Sequence, residues 1–185
     1  MPPACAAGWT ATARVGGVGL PFDPIAEARR QWLGRWEAAE PMAAATSIMR
    51  AQQIVLARVD AMLRPFELTF ARYEALVLLS FTRTGALPLG KMGVRLMVHP
   101  TSVTNTVNRL EAQGFVRRVP HTTDRRTTLA EITPEGRQVM EKATDVLVGA
   151  RFGLDSLSEE EATELTRLIR GLRVAAGDFD ERSEY

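Results

Sequence analysis

Short hydroxyl and amide side chains are concentrated between residues 100 and 110. Within this stretch Val103, Val107 and Leu110 recur at helical spacing and predict the buried stripe of a helix. The opposite face then carries the polar residues Thr101, Ser102, Thr104, Asn105 and Asn108. Such side chains form hydrogen bonds with base edges and phosphates, whereas a solvated helix face more often carries Glu and Lys, which are better helix formers. This composition indicates a helix that reads nucleic acid.

A simpler explanation accounts only for the start of this helix. Pro100 suits a first helical turn, and Thr101 and Ser102 could serve as its caps. Capping does not explain the Thr and Asn residues that continue further along the helix. We therefore keep the whole polar face, with Pro100 at its start, as the expected DNA-binding surface.

The neighbouring sequence predicts the elements that position this helix. A short helix precedes it, because apolar residues fall three and four apart at Leu89, Met92 and Leu96. Gly114 supplies the stop of the reading helix. Residues 115–119 and 127–132 then alternate like two strands, joined by the polar segment HTTDRR. Helix, turn, helix and hairpin make a winged helix-turn-helix, so the expected fold class is mainly α with a small β-hairpin wing.

Charge is distributed unevenly along the chain. The formal net charge is only +1, yet the segment from residue 83 to residue 126 has just two acidic residues, Glu111 and Asp124. Its basic residues are Arg83, Lys91, Arg95, Arg109, Arg117, Arg118, Arg125 and Arg126. Residues 155–185 are acidic instead, with nine carboxylates against four arginines. A local basic patch of this kind is typical of a phosphate-binding surface.

Helices are predicted on both sides of the winged module. Asp23 and Pro24 form a cap and first-turn pair that opens a helix over residues 24–37. A second helix is expected over residues 41–64, where a following proline ends it, and a third over residues 69–85.

Two more helices are expected after the wing. Thr133 and Pro134 open the first, and Ser158 with Glu161 has the pattern of a capping box before the second. The helices predicted before the winged module and those predicted after it each carry an apolar stripe, which would be exposed if the two groups did not pack together. Packing these groups together, and against a second subunit, would bury the stripes.

These segments resemble the MarR family of transcriptional regulators. The likeness is carried by LTFARYEALVLL (68–79), LPLGKMGVRLMVHPTSVTNTVNRLEAQGFVRRV (87–119), the wing DRR (124–126) and ITPEGRQVM (132–140). It extends over roughly residues 24–176, which is nearly everything outside the tails.

The resemblance implies an obligate homodimer on double-stranded DNA. Recognition helices would lie in the major groove and wing arginines in the minor groove, whose negative potential favours an inserted cation. It makes Arg126 the minor-groove arginine, oriented by Asp124 through a charge-assisted hydrogen bond, and adds Arg125 and Arg109 to the DNA-binding set. Taken without the neighbouring strand and helix, the DRR sequence would be interpreted as a solvated turn. A two-fold dimer would read a pseudo-palindromic operator with half-sites ~10 bp apart.

The expected domain organisation follows from this likeness. Residues 1–20, rich in Ala, Gly and Pro, are expected to be a disordered tail. N-terminal helices for dimerisation and a ligand cleft occupy 21–65, the winged helix-turn-helix occupies 66–133, and C-terminal dimerisation helices with a tail occupy 134–185.

The resemblance also implies a small aromatic or lipophilic effector. The opening Asp23-Pro24 with Trp32 is similar to the branch that includes urate-responsive regulators, in which an aromatic on the first helix and an acid on the third form the pocket. Trp32 and Glu74 fall at corresponding places. That branch has an arginine where this chain has Thr106, which argues against urate itself. Positions alone add Trp36, Tyr73 and His99. A role as core or interface aromatics is the commoner one for Trp32, Trp36 and Tyr73.

Other classes of function have little support in the sequence. His99 and His121 have no Cys or carboxylate cluster at metal-ligand spacing, so we expect no metal site. No nucleophile, base and orienting group form a catalytic pattern, so we expect no enzyme and no cofactor.

Cys5 is the only cysteine and lies in the apparent tail, where a redox role is the less favoured interpretation. A lone cysteine excludes an internal disulfide and fits a reducing cytoplasm, and no apolar run reaches the ~20 residues of a membrane span.

Three functions therefore remain. The favoured one is a dimeric repressor that an aromatic or lipophilic ligand releases from DNA. The second is a DNA-binding protein without an effector, either constitutive or architectural. The third is a ligand-binding or protein-interaction module that has lost DNA binding, and the joint presence of Asn105, Asn108, Arg125 and Arg126 argues against it.

Overall fold

A computed structural model describes residues 20–121 and 127–180. The expected tail, Cys5 and the wing residues Asp124, Arg125 and Arg126 therefore lie outside the described residues. The chain divides into two compact units, with the boundary between Ala61 and Met62. Across the described ranges, no helix is long and apolar enough to cross a membrane.

The first unit begins with helix α1, Pro24–Leu33. The Asp23 carboxylate accepts a hydrogen bond from the Ile25 backbone N–H at 2.9 Å, which confirms the predicted cap. The helix ends at Leu33 rather than near residue 37, because Gly34 caps its carboxyl end and Ala38 takes a left-handed φ of 57° that no helix can continue through.

Helix α2, Ala39–Leu63, starts two residues before the predicted position at Pro41. Pro41 lies in the first turn, where the missing N–H removes no helical hydrogen bond. The helix ends where predicted, and Pro65 follows in a 3₁₀ turn, Arg64–Phe66. Most of α2 belongs to the first unit, and its last residues belong to the second.

The second unit contains five helices and three strands among its described residues. The helices are α3 (Phe70–Ser80), α4 (Leu89–Leu96), α5 (Pro100–Ala112), α6 (Pro134–Gly149) and α7 (Glu159–Ala175), and the strands are β1 (Ala86–Pro88), β2 (Val116–Pro120) and β3 (Thr128–Ile132). Helix α3 ends at Ser80, five residues earlier than predicted. The predicted class, mainly α with a small β wing, is confirmed.

The sheet has one strand more than the predicted hairpin. Strand β1 pairs antiparallel with β3, and β3 pairs antiparallel with β2, so the order is β1-β3-β2. Within the hairpin Arg118 lies opposite Ala130, and across the added strand Leu87 lies opposite the same alanine. The sheet thus joins the wing to the segment that leads into α4.

The core of the second unit lies where α3, α5, α6 and the sheet meet. Helix α3 packs against α5, α6 and β3, and α4 packs against α5. The predicted stripe of α5 is confirmed, since Val103 is 1% exposed and Val107 and Leu110 are 0% exposed. The other large side chains that are fully buried are Leu63, Leu76, Leu79, Met92, Val116 and Leu147.

A single threonine joins the end of α5 to the start of α6. The Thr133 hydroxyl donates to the Gly114 carbonyl at 2.8 Å and accepts from the Gly136 N–H at 3.0 Å, so the predicted α6 cap is confirmed. A Cβ on Gly136 would stand 2.1 Å from the Phe115 carbonyl oxygen, a distance that no side chain tolerates. This close approach explains the glycine of the TPEG motif, because the helix start must pass directly over the residue that precedes β2.

Helix α7 begins with the predicted capping box. The Glu161 N–H donates to the Ser158 hydroxyl at 3.2 Å, and the Ser158 N–H donates to the Glu161 carboxylate at 2.8 Å. The apolar stripe of α7 is not covered: Leu165, Leu168, Ile169 and Leu172 are 40%, 57%, 36% and 59% exposed. No residue of this helix is buried.

Candidate nucleic-acid interface

The outer face of α5 is a continuous polar surface open to solvent. Its side chains are all exposed, and they are those predicted from the sequence: Pro100, Thr101, Ser102, Thr104, Asn105, Asn108 and Arg109. Because α5 buries its apolar stripe against α3, α4 and β2, this face cannot turn inward without destroying the core. The fold therefore holds the polar face outward as a fixed surface.

The amino terminus of α5 is capped by His99 rather than by a hydroxyl. The His99 Nδ1 accepts from the Thr101 backbone N–H at 3.3 Å and lies 3.1 Å from the Thr101 hydroxyl. Thr101 and Ser102 lie inside the first turn, after Pro100. The interpretation of these two residues as caps is wrong, because the extended residue that precedes a first-turn proline is the one placed to cap the helix.

Hydrogen-bonding capacity remains on this face. The Thr104 hydroxyl donates to the Pro100 carbonyl at 3.1 Å, which leaves its oxygen able to accept. Among the described residues, none forms a hydrogen bond with the side chain of Ser102 or Asn105. Thr101, Asn105 and Asn108 follow each other at intervals of four and three residues, so they form one ridge along the helix.

Two of the predicted basic residues are already neutralised by carboxylates. Arg117 donates to Glu131 across the hairpin at 2.9 Å and 3.1 Å, a contact that raises the pKa of Arg117 and lowers the pKa of Glu131 through its hydrogen bonds. Arg118 donates to both Glu111 and Asn108. Both arginines are therefore paired with carboxylates, although the basic patch predicted from the sequence included them as phosphate-binding residues.

The remaining cations form the exposed basic part of the surface. Arg83, Lys91, Arg95 and Arg109 are exposed, and within the described ranges no acidic side chain forms an ion pair with them. Lys91 and Arg95 also line an open depression of about 700 Å³, whose other walls include Pro88, Thr127 and Thr128. The depression lies between α4 and the start of β3, so positive charge adjoins the base of the wing.

The candidate ligand residues fall in both units. Trp32 and Trp36 belong to the first, and their ring centroids lie 4.9 Å apart although Trp36 is beyond the end of α1. The Trp32 Nε1 donates to the Glu37 carbonyl at 2.7 Å. Trp36 keeps 58% of its surface exposed, so the pair presents an aromatic face.

Tyr73, Glu74 and His99 belong to the second unit. Tyr73 is 5% exposed, and its hydroxyl shares a 2.9 Å hydrogen bond with the Thr144 hydroxyl, so it is a core residue that ties α3 to α6. His99 caps α5, as described above. Glu74 is exposed, yet desolvation by the surrounding protein raises the pKa of its carboxyl.

Two parts of this surface were missed by the sequence interpretation. The cap formed by His99 was not predicted, because histidine is not among the usual capping residues. The contact of Arg118 with Asn108 was also missed, since it joins a strand to a helix ten residues away and spacing alone gives no signal for it.

Comparison with known proteins identifies the fold. The MarR family model matches residues 68–128. The chain is 57% identical to Sco5413, a MarR family transcriptional regulator from Streptomyces coelicolor, whose structure matches 78% of this chain and 100% of its own with a TM-score of 0.72. Sco3205 from the same organism, solved in complex with DNA, is 25% identical and matches 82% of this chain and 96% of its own with a TM-score of 0.70.

The chain is also similar in sequence to a transcriptional regulator from another organism. The transcriptional repressor MdtR of Bacillus subtilis is 32% identical over 114 residues, which is 59% of this chain and 70% of MdtR. The family consists of transcriptional regulators rather than enzymes, which is consistent with the expectation of a non-catalytic protein. This chain therefore belongs to the MarR family of winged-helix transcriptional regulators.

Proposed function

We propose that this protein is a homodimeric, sequence-specific DNA-binding repressor that a small aromatic or lipophilic ligand releases from its operator. The observation that carries the proposal is the outer face of α5. It combines exposure to solvent, a lack of acidic side chains from Pro100 to Arg109, and side chains that can both donate and accept hydrogen bonds. These are the properties of a helix that enters the major groove.

In this proposal the two grooves are contacted by different elements. Helix α5 lies in the major groove with Thr101, Ser102, Thr104, Asn105 and Asn108 toward the bases. Arg109 and the cations around α4 neutralise backbone phosphates. Arg126 of the wing enters the minor groove with Asp124 beside it, and Arg125 contacts the backbone nearby. The structure of Sco3205 with DNA supports a DNA-binding role for this fold.

A second copy of the chain is the proposed partner of the exposed apolar surfaces. The stripe of α7 leaves four large aliphatic side chains between 36% and 59% exposed. In the first unit, Leu20, Phe22 and Leu33 are more than half exposed. Surfaces of this kind are unusual on a monomer and typical of an interface.

Repression is supported by the name of the relative MdtR, a transcriptional repressor. A regulator that reads DNA acts where the chromosome lies, so we also infer a cytoplasmic location.

On the family resemblance we propose Trp32 and Trp36 of the first unit, and Glu74 of the second, as ligand-binding residues. The tryptophan pair offers an aromatic surface, and Glu74 offers a carboxyl whose pKa is raised by desolvation, which favours the neutral form that can donate a hydrogen bond to a ligand. The double variant Trp32→Ala with Glu74→Ala should bind operator normally and lose its response to a ligand that releases the parent protein. If this variant no longer bound operator, both side chains would be structural and the effector site would lie elsewhere.

The proposal is tested by selecting duplex oligonucleotides with the purified protein and titrating salt against the selected sequence. We expect an inverted repeat with half-sites ~10 bp apart, bound with a steep salt dependence because phosphates release counterions. Tight binding without any preferred sequence would replace the repressor by an architectural protein. Absence of binding to any duplex at low salt would reject the DNA-binding role.

A DNA-binding protein without an effector is the second candidate function. It is favoured by Tyr73 and His99, which were candidate ligand residues but use their polar groups in the core and in the α5 cap. A screen of aromatic acids and lipophilic compounds separates the two candidates. Release of the operator by any of them supports the ligand-responsive regulator.

A further inference from the structure

Arg118 forms a hydrogen-bonded bridge between the wing and the recognition helix. From strand β2 its Nη2 donates to the Asn108 Oδ1 at 2.6 Å, and its Nη1 donates to the Glu111 carboxylate. The Arg118 backbone N–H also donates to Glu111 at 3.3 Å. Side-chain exposure is 30% for Arg118 and 38% for Glu111, so the bridge lies at the edge of the surface and is partly shielded from water.

This bridge fixes which way the Asn108 carboxamide faces. A guanidinium only donates hydrogen bonds, so the atom that it contacts must be the carboxamide oxygen. The carboxamide nitrogen therefore points away from Arg118. No described residue accepts a hydrogen bond from it, and Asn108 is exposed on the ridge that also carries Thr101 and Asn105.

An asparagine held in this way presents its NH₂ group to a base, while its oxygen is turned toward Arg118. Bidentate pairing with adenine requires the oxygen to accept from N6 while the nitrogen donates to N7. Here the oxygen faces Arg118, and the outward group is an NH₂ donor. Guanine, through O6 and N7, and thymine, through O4, offer acceptors alone in the major groove, whereas adenine places an N6 donor beside its N7 acceptor and cytosine offers only a donor.

We propose that Arg118 is a positioning residue that orients Asn108 as a donor, and that Asn108 thereby selects guanine or thymine at one symmetry-related pair of operator positions. This inference rests on the proposed DNA-binding function. It removes Arg118 from the phosphate-binding cations and gives the wing a second task, which is to set the base preference of the recognition helix.

The test measures relative affinity for all four bases at each position of the selected operator. The parent protein should favour guanine or thymine at the Asn108 position by roughly fivefold to tenfold, as expected for one good hydrogen bond to a base. Asn108→Ala should reduce that preference to about twofold or less. Arg118→Met should reduce the preference at the same position, because the carboxamide is then free to rotate.

Two comparisons separate positioning from loss of charge. Arg117→Met removes the neighbouring arginine, which pairs with Glu131 instead, and should leave the base preference unchanged. In the double variant Asn108→Ala with Arg118→Met, the second substitution should cause no further change in preference, because Arg118 acts through Asn108. Independent, additive losses in preference would overturn the proposal.

Salt dependence provides a second readout. Arg118→Met should leave the slope of log affinity against log salt unchanged, whereas Arg109→Ala should reduce it by about 0.9 for each phosphate that is no longer neutralised. If Arg118→Met lowers the slope and keeps the base preference, Arg118 contacts a phosphate and the proposal is wrong. The proposal is also wrong if Asn108→Ala weakens binding to all sequences equally.

A variant that keeps the bridge guards against misfolding of Arg118→Met. Asn108→Asp keeps an oxygen for Arg118 but has no NH₂ group, so it should fold with the parent's melting temperature and still lose the guanine or thymine preference. Retention of that preference would overturn the proposal. A parent protein that selects no operator would instead reject the DNA-binding function itself, so the two failures are distinct.

Discussion

Helices α5 and α7 have the same kind of apolar pattern and opposite environments. The stripe of α5 is at most 1% exposed, whereas that of α7 is between 36% and 59% exposed. Their polar faces differ as well. That of α5 carries Thr, Ser and Asn, while α7 begins with Glu159, Glu160 and Glu161 and continues with the ion pair of Glu164 and Arg167.

The difference shows which helix is complete within one chain. Helix α5 buries its apolar stripe inside the second unit, and apart from local contacts such as that of Asn108 with Arg118 its polar face is exposed and available for DNA. Helix α7 has an ordinary charged face and a good cap, but its apolar stripe lacks a covering surface. We infer that α5 needs a nucleic-acid partner and α7 needs a second subunit.

The largest expected effect is on the α7 stripe. Leu168→Asp would place a charge in an apolar interface, which costs several kcal/mol. We expect the dimer to become a monomer and operator affinity to fall by at least about 100-fold, as measured by light scattering and by DNA titration. Thr163→Asp, on the opposite and exposed face of α7, is the matched control. An unchanged dimer in Leu168→Asp would remove α7 from the interface.

Shortening a side chain in the α5 stripe should affect folding of the single chain, whereas shortening one in the α7 stripe should affect association of two chains. Leu110→Ala removes a fully buried side chain of α5, so it should lower the free energy of unfolding by about 2–5 kcal/mol. Leu172→Ala in α7 should destabilise the protein mainly at low concentration, because it weakens association. Urea unfolding at two protein concentrations distinguishes the cases. A concentration-independent loss in Leu172→Ala would mean that α7 is covered within its own chain.

Substitution on the polar face of α5 should affect DNA binding alone. Asn105→Ala should weaken the selected operator by about 1–3 kcal/mol if the side chain contacts a base edge, without a change in melting temperature or dimerisation. Thr166→Ala on α7 provides a comparison, since it too removes an exposed polar side chain. Equal affinity for parent and Asn105→Ala would show that Asn105 lies outside the contact.

The smallest expected effects concern the two helix starts. Ser158→Ala removes the capping box of α7 and should lower stability by about 1 kcal/mol. His99→Ala removes the α5 cap, and His99→Asn should restore it because asparagine is a strong capping residue. Thermal unfolding measures both. If His99→Ala and His99→Asn were equally stable, the contact of His99 with Thr101 would not be a functional cap.

The sequence predicted the parts of the fold that depend on neighbouring residues. The caps at Asp23, Thr133 and Ser158 and the stripe of α5 are local patterns, and the structure confirms them. Strand β1 was missed because it has only three residues, one of them Pro88, and its partner β3 lies more than 40 positions away. A strand this short has no alternation to detect.

The exposed polar face of α5 could be predicted from the sequence, but the ion pairs and hydrogen bonds around it could not. Exposure of the α5 face followed from helical period, but the pairing of Arg117 with Glu131 and of Arg118 with Glu111 depends on how the hairpin packs. Charge counting therefore overestimated the free cations. The roles of Asp124, Arg125 and Arg126 remain predictions from the family resemblance.

If α5 of each subunit reads the major groove, chemical modification of the base edges in that groove should interfere with binding. In the selected operator, guanines would be methylated at N7 and thymines replaced by uracil, two changes confined to the major groove. We expect two clusters of interference about 10 bp apart, with weaker interference at one position of each cluster in Asn105→Ala. Adenines methylated at N3 would report on the minor groove in the same experiment, and interference found only at those adenines would contradict this reading of α5.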